Sequence, residues 1–179
     1  RTDERARGFL TTTANLLREQ IRHALTEADH SLVVIARLAA GGFDRIPEGA
    51  ESWHAWLAQR HRMLPAFSSL SLVAPDGTLV ATSDADGTVS GPAARRLVEA
   101  HRDGLPLHLD GTPGDAWFTI SRRVEAEGVF RGIAVATYRG SAITDPLGLS
   151  GSPPLPLRVA LLQDDGESLL EIADLPSAM

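Results

Sequence analysis

The chain has 179 residues, a formal net charge of −6 and a pI near 5.5. Its 43% hydrophobic and 22% charged residues are globular values, and its length suffices for one domain with a substantial core. The acidic balance argues against a nucleic-acid partner, which would need a basic stripe. The absence of cysteine excludes disulfides, thiolate metal sites and cysteine nucleophiles. The chain has no apolar run of about 18 residues and begins in a charged stretch at Arg1, so we expect an excised fragment.

The first third of the chain is dominated by one helical pattern. Apolar residues recur at spacings of three, four and seven and predict a single helix over 2–38, roughly 55 Å long, stopped by Gly41 and Gly42. Packing alone rarely needs such a length, so the N-terminal half is predicted to pair with a second copy of the chain. The predicted seam consists of Leu10, Ala14, Leu17 and Ile21. The residues predicted to pack on the chain's own sheet are Ala28, Ile35 and Leu38.

A second helix and a hairpin follow. The segment Ser52 to His61 is predicted to be helical, with Ser52 as its N-cap. The stretch "LSLVAPDGTLVATSD" then places a Pro-Asp-Gly turn between two apolar runs. It predicts antiparallel strands over 70–74 and 78–83.

The middle of the chain predicts a short helix and further strands. Residues 91–103 begin with a proline suited to a first helical turn. Long strands are predicted over 116–125 and 129–138, and the fifth strand of the sheet is either one of the tail strands or an edge strand near 106–109. The last strand has a face without bulk, made by Gly132, Ala134 and Ala136, which would let the long helix approach the sheet closely.

The tail carries a weak repeat of the hairpin. Residues 160–174 align with 71–85 and place Asp165-Gly166 over Asp76-Gly77. A Pro/Gly-rich stretch at 147–157 precedes this copy and is typical of a linker.

The order and spacing of "LSLVAPDGTLVATS", "WFTISRRV" and "GVFRGIAVATY" after a long helix resemble the Cache, or PDC, family of PAS-like extracytoplasmic sensor domains. The resemblance implies an α/β (α+β) fold, with a five-stranded antiparallel sheet, the long helix on one face and a ligand pocket on the other. It predicts three regions: a helix over 1–41, a sensor core over 42–146, and a linker with a truncated or vestigial second module over 147–179.

The ligand-binding candidates lie on the later strands. Trp117, Ser121 and Arg123 share one face of their strand, and Thr137 lies late in the last strand. Amino-acid-binding members of the family carry an aspartate there and an arginine–aromatic signature that this chain lacks. Arg123, with Arg122 or His108 near it in sequence, would favour an anion such as a carboxylate, because a guanidinium offers a bidentate fork.

Catalysis and metal binding are not expected. His54 and His61 are seven residues apart, whereas a helical metal pair is usually four apart, so surface histidines are the simpler interpretation. "SDADG" at 83–87 lacks the later ligands of a calcium loop, and there is no Gly-x-Ser-x-Gly elbow or Gly-rich phosphate loop.

Two functions from different classes remain. The first is an extracytoplasmic, periplasmic ligand-sensing domain without enzymatic activity or a cofactor. It would be a homodimer through its first helix, flanked by membrane segments, and would signal to a cytoplasmic histidine kinase or diguanylate cyclase output domain. The alternative is a dimerisation or interaction module with no small-molecule ligand.

Overall fold

The computed structural model describes residues 2–84, 89, 91–111, 117–139, 159–162 and 168–172. Its elements, in chain order, are α1 (Thr2–Ala39), α2 (Trp53–Arg62), β1 (Phe67–Val73), β2 (Leu79–Thr82), α3 (Gly91–Arg102), β3 (Leu107–Gly111), β4 (Trp117–Ala126), β5 (Val129–Arg139), β6 (Val159–Leu162) and β7 (Ser168–Ile172). Among the described residues, no helix combines the length and apolarity needed to cross a membrane.

Strands β1 to β5 form one antiparallel sheet in the order β2-β1-β5-β4-β3. The predicted α+β, PAS-like fold is confirmed, as are the hairpin, the two long strands and the edge strand. In the first hairpin, Gly77 has φ +87° and its N–H donates to the carbonyl of Ala74. In the second, Glu127 and Gly128 both have positive φ, as a tight two-residue hairpin turn requires.

One face of the sheet packs against the second half of α1. Leu32 and Ile35 are fully buried in the same apolar cluster as Ala134 and Ala136, so the small residues of β5 do accommodate the helix. Gly132 instead allows β1 to lie close to β5, because an added Cβ there would lie 2.2 Å from the carbonyl oxygen of Val73.

Two long-range polar contacts tie α1 to this face. The guanidinium of Arg122 on β4 binds the carboxylate of Asp29. The hydroxyl of Tyr138 on β5 donates to the carbonyl of Ala24 at 2.9 Å. Burial raises the pKa of the Tyr138 hydroxyl, which keeps it a neutral donor.

The single-helix prediction for α1 is confirmed, but three of its face assignments need correction. Leu17 is only 8% exposed and belongs to the chain's own core, and Ile21 packs against that core. The seam predicted for these two residues is therefore wrong. Conversely, Leu38 is 41% exposed and does not join the core, whereas Ala28 and Ile35 do.

The opposite face of the sheet carries α3. Leu97 and Val98 of this helix are buried against Ile133 and Val135 of β5. The sheet thus lies between α1 on one side and α3 on the other.

The tail forms the second hairpin that the repeat predicts, with β6 antiparallel to β7 in a sheet of its own. The Asp165-Gly166 turn lies outside the described residues. The division into three regions remains a prediction.

Candidate functional site

The sheet face toward α3 carries the residues predicted to bind a ligand. Alternate residues of β4 and β5 point to this side, because Phe118, Ile120, Ala136 and Tyr138 belong to the cluster under α1. The predicted residues on this face are Trp117, Ser121 and Arg123 of β4, Thr137 of β5 and His108 of β3. Parts of the segment between β2 and β4, residues 85–88 and 112–116, lie outside the described residues.

These residues divide into two groups. Trp117 and Arg123 are six residues apart on one strand, which places them about 20 Å apart at about 3.3 Å per residue. A small ligand cannot reach both ends. The structure therefore brings Trp117 together with Thr137, and brings Ser121 together with His108 and Arg123.

Thr137 lies at the centre of the first group. It is paired across strands with Thr119 on one side and Ser69 on the other. It is 5% exposed, and its hydroxyl has no hydrogen-bond partner among the described residues. A buried hydroxyl without a partner carries a desolvation cost, because its bonds to water are lost on folding and are not replaced.

Arg139 completes this group, and the sequence analysis missed it. It is paired with Trp117 across β4 and β5, and its guanidinium lies over the Trp117 ring, 4.5 Å from the ring centroid. It is exposed and makes no ion pair within the described part of the chain. The period-2 alternation of "ATYRG" could have identified it, since residues 137 and 139 share a face. We call Trp117, Thr119, Thr137 and Arg139 the Thr137 patch.

The second group is built around a buried histidine that the sequence analysis did not single out. His101, in the last turn of α3, is 0% exposed. Its Nδ1 is 2.6 Å from the Leu105 carbonyl oxygen, and its Nε2 is 2.8 Å from Ser121 Oγ. Burial lowers the pKa of His101, and the nearby His108 and Arg123 lower it further. The ring is therefore neutral, donating from Nδ1 to Leu105 and accepting the Ser121 proton at Nε2.

Ser121, His108 and Arg123 serve this cluster. Ser121 is fully buried, and the His108 ring meets the His101 ring edge-on at 6.1 Å. Arg123 donates to the carbonyl of His101 at the C-terminus of α3, pairs with Glu125 at 2.7 Å and lies over the ring of Phe130. These contacts hold the Arg123 guanidinium away from the Thr137 patch.

The two α2 histidines contact strand backbones. His54 Nδ1 lies 3.1 Å from the Thr82 carbonyl oxygen, and His61 Nε2 lies 2.7 Å from that of Phe67. Within the described ranges, no three His, Cys, Asp or Glu residues come together as a metal site. Part of the "SDADG" segment lies outside the described residues.

The fold is shared with solved sensor domains. The extracellular domain of a protein described as a histidine kinase superposes with a TM-score of 0.67 at 22% identity, covering 92% of this chain and 71% of that one. The ligand-binding domain of an amino acid chemoreceptor from Pseudomonas aeruginosa, in complex with γ-aminobutyrate, superposes with a TM-score of 0.56 at 18% identity. The superposition covers 91% of this chain and 73% of that one. An extracellular ligand-binding receptor from Desulfohalobium retbaense superposes with a TM-score of 0.55 at 18% identity, covering 86% of this chain and 29% of that one.

The chain therefore has the fold of extracellular sensor domains, as its resemblance to the Cache family predicted. These solved relatives are sensor and ligand-binding domains, not catalytic domains. At these identities the likeness establishes the fold alone. No known family model matches the chain.

The curated sequences that match belong to a different class of protein. Aspartate–tRNA(Asp/Asn) ligase from Mycobacterium tuberculosis is 35% identical over 95 residues, and that from Rhodococcus opacus is 28% identical over 94. The match covers 52% of this chain but only 14% of each ligase. The chain thus spans about one seventh of the length of these relatives, too little to define a family.

Proposed function

We propose that this chain is the extracytoplasmic ligand-sensing domain of a transmembrane signalling protein, and that its ligand binds at the Thr137 patch. The observation that carries the proposal is the buried Thr137 hydroxyl, which has no partner among the described residues. The shared fold supports the sensor class, because its solved relatives are extracellular sensor and ligand-binding domains.

The patch favours a small carboxylate as the ligand. Arg139 supplies an exposed guanidinium, held in place by the Trp117 ring, one cross-strand pair away from the Thr137 hydroxyl. A guanidinium and a hydroxyl together match the two oxygens of a carboxylate. Arg139 thus takes the role that the sequence analysis gave to Arg123. Thr137 stands where amino-acid-binding Cache domains have an aspartate, so the ligand need not carry an amine.

The chain also has a direct connection from this patch to α1. Thr137 faces the patch, and the next residue, Tyr138, donates its hydroxyl to the Ala24 carbonyl of α1. A movement of β5 on ligand binding would be transmitted to α1 through Tyr138. Ligand binding shifts such an equilibrium only if the two arrangements bind the ligand unequally.

The alternative, a dimerisation module without a ligand, is favoured by a different observation. The N-terminal half of α1 exposes Phe9, Leu10 and Leu16, three large apolar side chains on one helix. They replace Leu17 and Ile21 as the proposed contact between two copies of the chain. Dimerisation is compatible with ligand sensing, so ligand binding is the property that separates the two functions.

A thermal-shift panel of small carboxylates, including acetate, butyrate, succinate and γ-aminobutyrate, tests the proposal. At about 100 times its Kd, a bound ligand adds about 2.7 kcal/mol, or about 5–10 °C for a chain of this size. Arg139→Gln should weaken binding at least about tenfold, whereas Arg131→Gln, at the exposed other end of β5, should not.

The Thr137→Val variant gives a second, independent readout. Removal of a buried, unpaired hydroxyl should leave the Tm of the free chain unchanged or raise it, while the shift caused by the ligand should shrink. Thr11→Val, at an exposed position of α1, is the matched control. If no carboxylate shifts the Tm, or if Thr137→Val leaves the ligand's effect intact, the ligand does not bind at this patch.

A further inference from the structure

A groove runs along the edge of the sheet between α1 and β4, away from the Thr137 patch. Its volume is about 380 Å³, within the range of small-molecule sites. Its lining residues are Val33, Ala36 and Arg37 of α1, Ala40 directly after it, and Arg122, Arg123 and Glu125 of β4.

The groove exists because β3 covers only part of the outer side of β4. Strand β3 begins at Leu107, opposite Arg122, and Pro106 before it accepts one further hydrogen bond from the Arg123 N–H. The end of β4 beyond this point has no strand on its outer side among the described pairings. Above it lie Ala36 of α1 and Ala40 directly after the helix, whose small side chains leave room.

The charges of this groove do not cancel. Arg122 is paired with Asp29, and Arg123 is paired with Glu125. Arg37, exposed in the last turn of α1, makes no ion pair or hydrogen bond within the described part of the chain. Three guanidiniums against two carboxylates leave one excess positive charge, in a chain whose net charge is −6.

Two arginines keep donors on the α1 side of the groove. The contacts of Arg122 with Asp29 use its Nε and Nη2, which leaves Nη1. Arg37 keeps all of its donors, whereas the guanidinium of Arg123 is directed to the His101 carbonyl on the α3 side of the sheet. Convergent guanidinium donors bind oxyanions more strongly than neutral donors do. Val33, Ala36 and Ala40 add an apolar wall beside them.

We propose that this groove is a second ligand site, which binds a small aliphatic carboxylate through Arg37 and Arg122. The carboxylate faces the guanidiniums, and its carbon chain lies against Val33 and the two alanines. The bound anion bridges α1 and β4 beside the Asp29–Arg122 pair and strengthens the attachment of α1 to the sheet. This site is independent of the ligand proposed for the Thr137 patch.

The test uses the 179-residue chain carrying Arg139→Gln, so that binding at the Thr137 patch is weakened at the outset. Butyrate and inorganic phosphate are titrated at constant ionic strength, and backbone amide shifts are followed by NMR. Saturable butyrate shifts are expected at 33–40 and 122–125. Adding Arg37→Gln should weaken this binding about tenfold, and Arg18→Gln, an exposed arginine of α1 outside the groove, should leave it unchanged.

Three results would overturn the proposal. The first is the absence of saturable shifts in the two segments. The second is equal weakening by Arg37→Gln and Arg18→Gln, which would indicate a general effect of charge. The third is phosphate binding as tight as butyrate binding, because the apolar wall would then contribute nothing and the ligand would not be an aliphatic carboxylate.

Discussion

At the scale of single residues, His101 joins three parts of the fold. It belongs to α3, its Nδ1 donates to Leu105 in the following loop, and its Nε2 accepts from Ser121 of β4. Its own carbonyl accepts from Arg123. The ionisable side chains that face the ring are those of His108 and Arg123, and both lower the pKa of His101 further below its ordinary value.

The lowered pKa of His101 predicts that acid weakens the fold. In the unfolded chain the ring binds a proton near the ordinary histidine pKa of about 6.5, whereas the folded chain keeps it neutral to lower pH. The stabilisation is fully present above this pH and is lost as the pH falls below it, because the unfolded state then binds more protons. Urea unfolding at a series of pH values from about 7.5 to about 5.5 measures how steeply the free energy of unfolding depends on pH.

His101→Gln is the variant that isolates this contribution. In this variant the free energy of unfolding should fall less steeply as the pH is lowered. His23→Gln, at an exposed position of α1, should keep the same pH dependence as the wild type. A slope that is the same in all three proteins would contradict the assignment of a neutral, buried His101.

At the scale of elements, α1 carries two apolar stripes with different roles. One stripe is buried within the chain and includes Leu17, which is 8% exposed, whereas the adjacent Leu16 is 51% exposed. Spacing alone could not separate them, because both stripes repeat with the period of a helix.

Two matched substitutions test this assignment. Leu17→Ala should lower the free energy of unfolding by about 2–5 kcal/mol, and Leu16→Ala should change it by less than about 0.5 kcal/mol. Both replace leucine by alanine in the same turn of α1, so helix propensity cancels. Chemical denaturation at low protein concentration makes the comparison in the absence of self-association. Equal effects of the two substitutions would mean that Leu17 is not part of the core.

Elements were more predictable from the sequence than contacts were. The Pro-Asp-Gly turn, the Ser52 cap and the alternation in β4 and β5 are local signals, and the structure confirms each of them. The face of Trp117, Ser121, Arg123 and Thr137 also follows from alternation.

What each of these side chains touches depends on residues far away in the chain. Arg123 binds the end of α3, 22 residues earlier, so its place in the predicted site could not be judged from its own strand. His101 gave no signal at all, because its burial depends on the packing of α3 against β4.

At the scale of the whole molecule, the sheet separates the proposed ligand site from the long helix. The α3 side presents the Thr137 patch, and the α1 side holds the long helix through Asp29–Arg122 and Tyr138–Ala24. Strand β5 belongs to both sides, with Thr137 facing one and Tyr138 facing the other. The resemblance to Cache domains predicted this layered arrangement, but the sequence analysis did not identify Arg139, the cation of the proposed ligand site.

The most direct test of the sensor function is NMR mapping of the carboxylate that gives the largest thermal shift with the wild-type chain. Ligand binding at the Thr137 patch predicts saturable amide shifts at 117–119 and 137–139, and their loss in Arg139→Gln. Smaller shifts should appear around Ala24, through Tyr138. If no carboxylate perturbs these segments, or if every perturbation falls on the exposed stripe of Phe9, Leu10 and Leu16, the chain does not sense a carboxylate at this face, and the dimerisation function is favoured.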